Sequence, residues 1–380
     1  MKKILFRKLL LDYMSFFLIA LLSSSIIIWV FQAVNFLDIM IEDGRDYLVY
    51  FSYSMLNFPK IFSRLFPFVL FFSLFYVTLK YEANNELMIF WNFGVNKIQI
   101  INFLLKTSIF LTVIQILLTS FIVPKSQELA RFYLKNSTVN FFENFIKPKR
   151  FNDTIKGVTI FSEKKDIEGN LYNLYLKKEI DKNNFQITYA KKGKFKEINN
   201  IPILVLFDGA TITGKNDDVT NFSFSKSDFP LSSFETNTTT YTKTQELSTF
   251  NLGKCFYYLF NLNISKRIET IASIENCSSE NLGNILKELY KRIVIPFYIP
   301  ILMLVPFLLI TSSKENISFS KLRFTTFLVG LFLIIFSETT IRLISEKLIK
   351  NFSITFIPII IFTILYLYFF KKFNYGKFDK

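Results

Sequence analysis

Eight consecutive residues, Gly209-Ala-Thr-Ile-Thr-Gly214-Lys215-Asn216, stand one side chain away from a nucleotide-binding loop. A loop of the form G-x-x-x-x-G-K-[ST] wraps backbone N–H groups around phosphates and ends in a hydroxyl that ligates Mg²⁺. Asn216 replaces that hydroxyl. Thr211-Ile212-Thr213 favours a strand, and Asn216-Asp217-Asp218 favours a turn instead of the helix such a loop must open. We read the segment as a β-hairpin, so ATP-driven work would need a nucleotide site on another chain. The chain has no His, which removes Ser-His-Asp and Cys-His nucleophiles and the usual zinc sites. Cys255 and Cys277 stand outside any C-x-x-C arrangement, and their spacing alone leaves their pairing open. Asp38, Glu42, Asp43 and Asp46 form a carboxylate cluster, more typical of a solvated acidic loop than of catalysis. No metal site, nucleotide site or bound cofactor is expected on this chain.

The elements that position these residues follow from hydropathy. The chain of 380 residues is 51% hydrophobic and 18% aromatic, with mean hydropathy +0.33. Soluble domains seldom reach that value. Six apolar segments each cover a hydrocarbon core of roughly 30 Å as a helix. They run over Tyr13–Phe36, Phe58–Leu79, Ile98–Val123, Ile293–Ile310, Phe324–Ile344 and Ile354–Phe370. The first is too long for a signal peptide and lacks a small-residue cleavage site. The net charge of +15 suits a membrane surface better than nucleic acid, because the basic residues cluster beside the apolar spans. Lys2, Lys3, Arg7 and Lys8 precede the first span, and Lys371, Lys372, Lys377 and Lys380 follow the last. These place both termini in the cytoplasm and the large insert on the far side.

Residues 151–234 of that insert alternate short apolar runs with polar turns. Phe185, Ile187 and Tyr189 are spaced by two, as a half-buried strand requires. About eight short strands favour a sandwich or jelly roll. The segment from Asn281 to Arg292 has a helical pattern and runs into the fourth span.

Between the second and third spans, Glu86 to Trp91 can form a short helix. Asn84 or Asn85 would cap it and Gly94 would stop it. It can dock on a partner or lie among headgroups. The Glu followed eight residues later by Gly-Val resembles the coupling helix of the lipopolysaccharide export permeases, the LptF/LptG family. Ile4-Leu-Phe-Arg7, Val123-Pro124 and Glu288-Leu-Tyr-Lys-Arg292-Ile-Val-Ile-Pro296 are similar to that family's opening, third-span exit and approach to the fourth span. Asn96 departs from the small residue usual after Gly-Val.

The resemblance spans the whole chain and implies a fold. That fold is a bundle of six transmembrane helices with a periplasmic all-β, jellyroll-like domain inserted between helices 3 and 4. The divisions would be residues 1–123 with a coupling helix at about 82–94, residues 124–292 for the β-domain and its helical connector, and residues 293–380. The implied setting is the inner membrane of a double-membrane bacterium. The implied role is a non-enzymatic permease subunit of an ABC-type transporter that extracts lipopolysaccharide. Implied partners are a cytoplasmic ABC ATPase dimer, a second related permease chain and a periplasmic β-jellyroll bridge, with no nucleic acid. Glu86, Leu87, Phe90, Trp91 and Gly94 would couple to the ATPase.

Charges inside the spans cost roughly 2.5–3.5 kcal/mol each on insertion scales, so they usually face a protein interior. For a carrier of phosphorylated glycolipid, Lys60, Arg64 and Arg342 suit phosphate contacts. Arg131 and Gln32 are further candidates to line the same cavity. Snorkelling is the alternative for Lys60. Glu338, four residues from Arg342, can pair with it. The competing functions are a lipid-modifying membrane enzyme and a membrane-anchored envelope scaffold.

Overall fold

The computed structural model describes residues 2–41, 47–136, 146–155, 158–166, 169–181, 184–198, 201–215, 218–230, 243–260, 274, 276–312, 314–345 and 348–374. Six helical segments within them are long and apolar enough to cross a membrane: Lys2–Leu37, Tyr47–Ala83, Lys97–Leu134, Leu282–Thr311, Phe319–Leu343 and Ile349–Asn374. We number the helices α1 (Lys2–Ile41), α2 (Tyr47–Ala83), α3 (Glu86–Asn92), α4 (Lys97–Leu117), α5 (Val123–Asn136), α6 (Thr249–Phe260), α7 (Leu282–Ile293), α8 (Ile299–Leu304), α9 (Phe319–Leu343) and α10 (Leu348–Asn374). The chain divides into two compact units. One comprises Met1–Val30, Asn57–Glu128 and Thr242–Lys380; the other comprises Phe31–Leu56 and Leu129–Tyr241.

The first unit is a helical bundle. Its largest apolar cluster joins Leu9, Tyr13, Phe17 and Leu21 of α1 to Phe66, Leu70 and Leu74 of α2, Ile101 and Leu104 of α4, and Met303 and Phe307 of the fourth span. That span is broken where a plain helix was expected. It passes from α7 through a 3₁₀ segment, Ile295–Tyr298, into α8 and then a second 3₁₀ segment, Val305–Thr311. Pro296, Pro300 and Pro306 each lack an N–H, so the i→i−4 ladder fails and the tighter i→i−3 pattern takes over.

Gly330 of α9 packs on Phe71 of α2. A Cβ at 330 would lie 1.9 Å from the Phe71 ring, and Phe71 is fully buried. Gly330→Ala is therefore expected to cost about 1–3 kcal/mol by overpacking. A lowered melting temperature in detergent, partly recovered by adding Phe71→Leu, checks this.

The described strands of the second unit form one antiparallel sheet of six, in the order of the chain. They are β1 (Phe151–Ile155), β2 (Val158–Lys165), β3 (Leu171–Asp181), β4 (Asn184–Ile198), β5 (Ile201–Lys215) and β6 (Asp218–Pro230). Each pairs with its sequence neighbours, as short connections favour. The arrangement among the described residues is thus a meander of six strands, four of them longer than ten residues, where sequence suggested about eight short ones. Phe185 and Tyr189 are exposed, whereas Thr188 and Ala190 are buried. The alternation expected on β4 is real, but its aromatic face points outward. The inward face instead packs Val158, Ile160, Leu174, Leu176 and Leu204 together.

The sheet carries a crease. The pairing register steps over Asn173 and Lys191 between β3 and β4, and over Lys191 and Asp208 between β4 and β5. Asn173 and Asp208 both have φ of 49°, a left-handed conformation that Asn and Asp tolerate better than most residues. Buried positions on β4 change phase across this line, from Thr188 and Ala190 to Gly193 and Phe195.

The crease also accounts for the nucleotide-loop decoy. Gly209 lies on β5, and a Cβ there would be 2.2 Å from the Tyr189 carbonyl oxygen. A Cβ at Gly214 would strike the Phe185 ring at 2.6 Å. Lys215 pairs with Asp218 across a hairpin. Both glycines serve sheet packing.

Candidate functional site

Two places in the helical bundle concentrate polar groups. The larger is a cavity of about 750 Å³ lined by Arg64 of α2, Lys243 and Gln245 ahead of α6, Lys287, Glu288 and Lys291 of α7, and Glu338 and Arg342 of α9. Arg292 holds its wall. The Arg292 side chain is 2% exposed and its Nε donates to Glu288 Oε1 at 3.0 Å. Nη1 donates to the Leu247 carbonyl at 2.8 Å and to Thr249 Oγ1 at 2.9 Å, and Nη2 donates to the Gln245 carbonyl at 2.9 Å. One planar guanidinium thus clamps the approach to α6 against α7.

Further ties fix the same wall. Asn281 Nδ2 donates to Thr244 Oγ1 at 3.0 Å. Cys255 of α6 is disulfide-bonded to Cys277, resolving the pairing that spacing left open. A π-helical turn, Leu118–Ile122, links α4 to α5. Its Ser120 carbonyl accepts from Thr249 at 2.6 Å, and Thr119 donates to the Arg292 carbonyl at 2.9 Å. The turn thus accepts from α6 through one carbonyl and donates to α7 through one hydroxyl.

The lining is strongly basic. Five cations (Arg64, Lys243, Lys287, Lys291 and Arg342) face two carboxylates, Glu288 and Glu338. Glu288 is already engaged by Arg292 at 3.0 Å and Lys291 at 3.9 Å. Glu338 and Arg342 line the same cavity, and no ion pair joins them among the described residues. The side chains of Arg64, Lys287 and Arg342 make no hydrogen bond or ion pair among the described residues. Such a set can hold a polyanion through charge-assisted bonds.

Of the residues singled out by sequence, Arg64 and Arg342 meet in this cavity. Lys60 lines a small neighbouring space with Arg64, and its Nζ donates to Gln127 Oε1 at 3.3 Å. Gln32 and Arg131 belong to the other unit. Glu42, Asp43 and Asp46 lie outside the described residues, as does the Asp38 side chain. Sequence reasoning missed Lys243, Lys287 and Lys291. The last two were findable, since residues four apart on a helix share a face.

The second place is the connector. Asn85 precedes α3 with φ of 61° and makes no side-chain cap. Gly94, with φ of 67°, ends it. The Gly94 N–H donates to the Trp91 carbonyl at 2.9 Å and the Val95 N–H to the Phe90 carbonyl at 3.0 Å, the bond pair of a Schellman stop. Leu87 and Phe90 are buried in the bundle core with Val95 and Ile100. They anchor the helix from within. The exposed apolar residues are Met88, Ile89 and Phe93. Trp91 is half-buried under the Lys97 ammonium, 5.6 Å from its ring centre. Glu86 accepts from Asn84 at 3.0 Å.

Three lysines splint the connector. Lys2 Nζ donates to the Gly94 carbonyl at 2.8 Å, Lys314 Nζ to the Ala83 carbonyl at 3.1 Å, and Lys97 Nζ to the Ile310 carbonyl at 2.8 Å. These bonds tie the two ends of the connector to α1 and to Lys314, and tie α4 to the end of the fourth span.

Comparison with known proteins adds two findings. The family described as lipopolysaccharide export system permease LptF/LptG matches residues 7–372. A relative from Rickettsia prowazekii (strain Madrid E), named uncharacterized protein RP871, is 24% identical over 359 residues, covering 92% of this chain and 91% of that protein.

Proposed function

The chain belongs to the LptF/LptG family of lipopolysaccharide export permeases, and from that premise we propose that it is one permease subunit of an ABC-type exporter. It takes lipopolysaccharide from the inner membrane through the basic cavity and delivers it to its β-sheet domain, one part of a jellyroll path. A periplasmic bridge of similar β-domains receives it. A second permease chain completes the transmembrane pathway, and a separate ATPase dimer drives it through α3. The observation that carries this reading is the cavity of about 750 Å³ with five cations against two carboxylates. Lipid phosphates match that charge, and the apolar spans match acyl chains.

Orientation has independent support. Disulfides persist in oxidising compartments, and Cys255–Cys277 lies in the segment that the flanking lysines assign to the far side of the membrane. A photocrosslinker at Arg64 should label lipopolysaccharide in whole cells, whereas one at the exposed Leu328 of α9 should label bulk phospholipid. Equal labelling of lipopolysaccharide from both positions would remove the cavity's role.

The ATPase contact is assigned to Met88, Ile89 and Phe93, with Glu86 beside them. Ile89→Asp with Phe93→Asp should lower co-purification of the ATPase about tenfold, the equivalent of roughly 1.4 kcal/mol. Leu87→Ala should act differently, lowering chain stability by about 2–5 kcal/mol. Unchanged ATPase recovery from the double Asp variant would move the contact elsewhere.

A further inference from the structure

We propose that a second cavity, at the α3 end of the bundle, holds a phosphoethanolamine headgroup. This cavity of about 350 Å³ is lined by Lys8, Asp12, Phe16 and Ile19 of α1, Tyr76 and Lys80 of α2, and Glu86 of α3. It differs from the basic cavity in charge: two ammonium groups face two carboxylates, so a simple polyanion gains little there. Each carboxylate already accepts from a neutral donor, Asp12 from the Tyr81 hydroxyl and Glu86 from Asn84. The Lys8 and Lys80 side chains make no hydrogen bond or ion pair among the described residues. The lysines are thus the open partners for a phosphate, and the carboxylates keep lone pairs for an ammonium. A zwitterion carrying both groups satisfies all four side chains.

The apolar part of the lining has the matching order. Phe16 and Ile19 lie farther along α1 from its charged start, and the Phe16 and Tyr76 rings stack at 4.7 Å. Both rings and Ile19 are exposed at the bundle surface. A headgroup between Lys8 and Lys80 therefore sits two to three turns of helix from a surface that suits acyl chains. Glu86 belongs also to the connector, so occupancy would bear directly on α3. The inference goes beyond the export reading, and its test needs no transport.

The experiment is native mass spectrometry of the detergent-purified full chain with added phosphatidylethanolamine, phosphatidylglycerol or soluble glycerophosphoethanolamine. Phosphatidylethanolamine should bind about tenfold more tightly than phosphatidylglycerol, the worth of one charge-assisted bond. Lys8→Gln with Lys80→Gln should remove that preference, with the melting temperature unchanged because both side chains are exposed. Binding of the phospholipid but not of the soluble compound assigns a membrane source; the reverse assigns a free metabolite. Equal binding of both phospholipids by the wild-type chain, or an unaltered preference in the double variant, overturns the proposal.

Discussion

Arg292→Met is expected to destabilise the bundle by about 3–5 kcal/mol, because it removes one partner of a buried ion pair and leaves the other in place. Glu288 would lose its closest cation, and the Leu247 and Gln245 carbonyls would lose their donors. Thermal unfolding of the detergent-solubilised chain reads the effect. Arg292→Lys should recover little, since an ammonium cannot reproduce a planar fork that reaches three elements. Adding Glu288→Gln to Arg292→Met should recover part of the loss by removing the orphaned charge. Arg323→Met, on the exposed start of α9, is the control, expected within about 0.5 kcal/mol. A melting temperature for Arg292→Met equal to that control would show that the clamp carries no weight.

Charge reversal inside the large cavity should nearly abolish lipopolysaccharide handling. A hydrogen bond to a charged group contributes about 1.5–3 kcal/mol, so each lost contact costs one to two orders of magnitude in affinity. Arg64→Glu with Lys287→Glu removes two such cations and adds two repulsive carboxylates. The measurement is photocrosslinking to lipopolysaccharide from a probe at Thr339, which lines the same cavity. Lys125→Glu is the comparison: that lysine pairs with Glu128 on the surface, with both side chains more than half exposed. Its signal should stay near wild type, because exposed pairs contribute little. Full labelling in the Arg64/Lys287 double variant would sever the cavity from the lipid.

Sequence exposed the spans because burial in lipid demands long apolar runs, and each of the six reappears as a helical segment long enough to cross, the fourth in α and 3₁₀ pieces. It exposed α3 through Glu86, its first residue, and Gly94, whose role is local to the backbone. It located Arg64 and Arg342 because a charge inside an apolar run is conspicuous. Lys287 and Lys291 were obscured for the opposite reason: they stand in a polar stretch where lysines are ordinary, and only the fold brings them to Arg64. The burial of Leu87 and Phe90 was not legible because a seven-residue helix so densely apolar has no polar face to mark which side the bundle covers. Spacing on β4 gave the alternation but not which of its two faces lies inward. Phe185 is held outward by Gly214, which lies beneath its ring, and that partnership spans two strands.

The fold line through Asn173, Lys191 and Asp208 changes how tolerance to substitution should be distributed. Along an ordinary strand, sensitive and permissive sites keep one two-beat rhythm from end to end. Here the rhythm should skip a beat at 191 and at 208, so odd-numbered sites on β4 become the vulnerable ones beyond the fold. A saturation scan of β4 and β5 would display that phase slip directly, and swapping strand halves between relatives by simple alternation would turn core side chains outward.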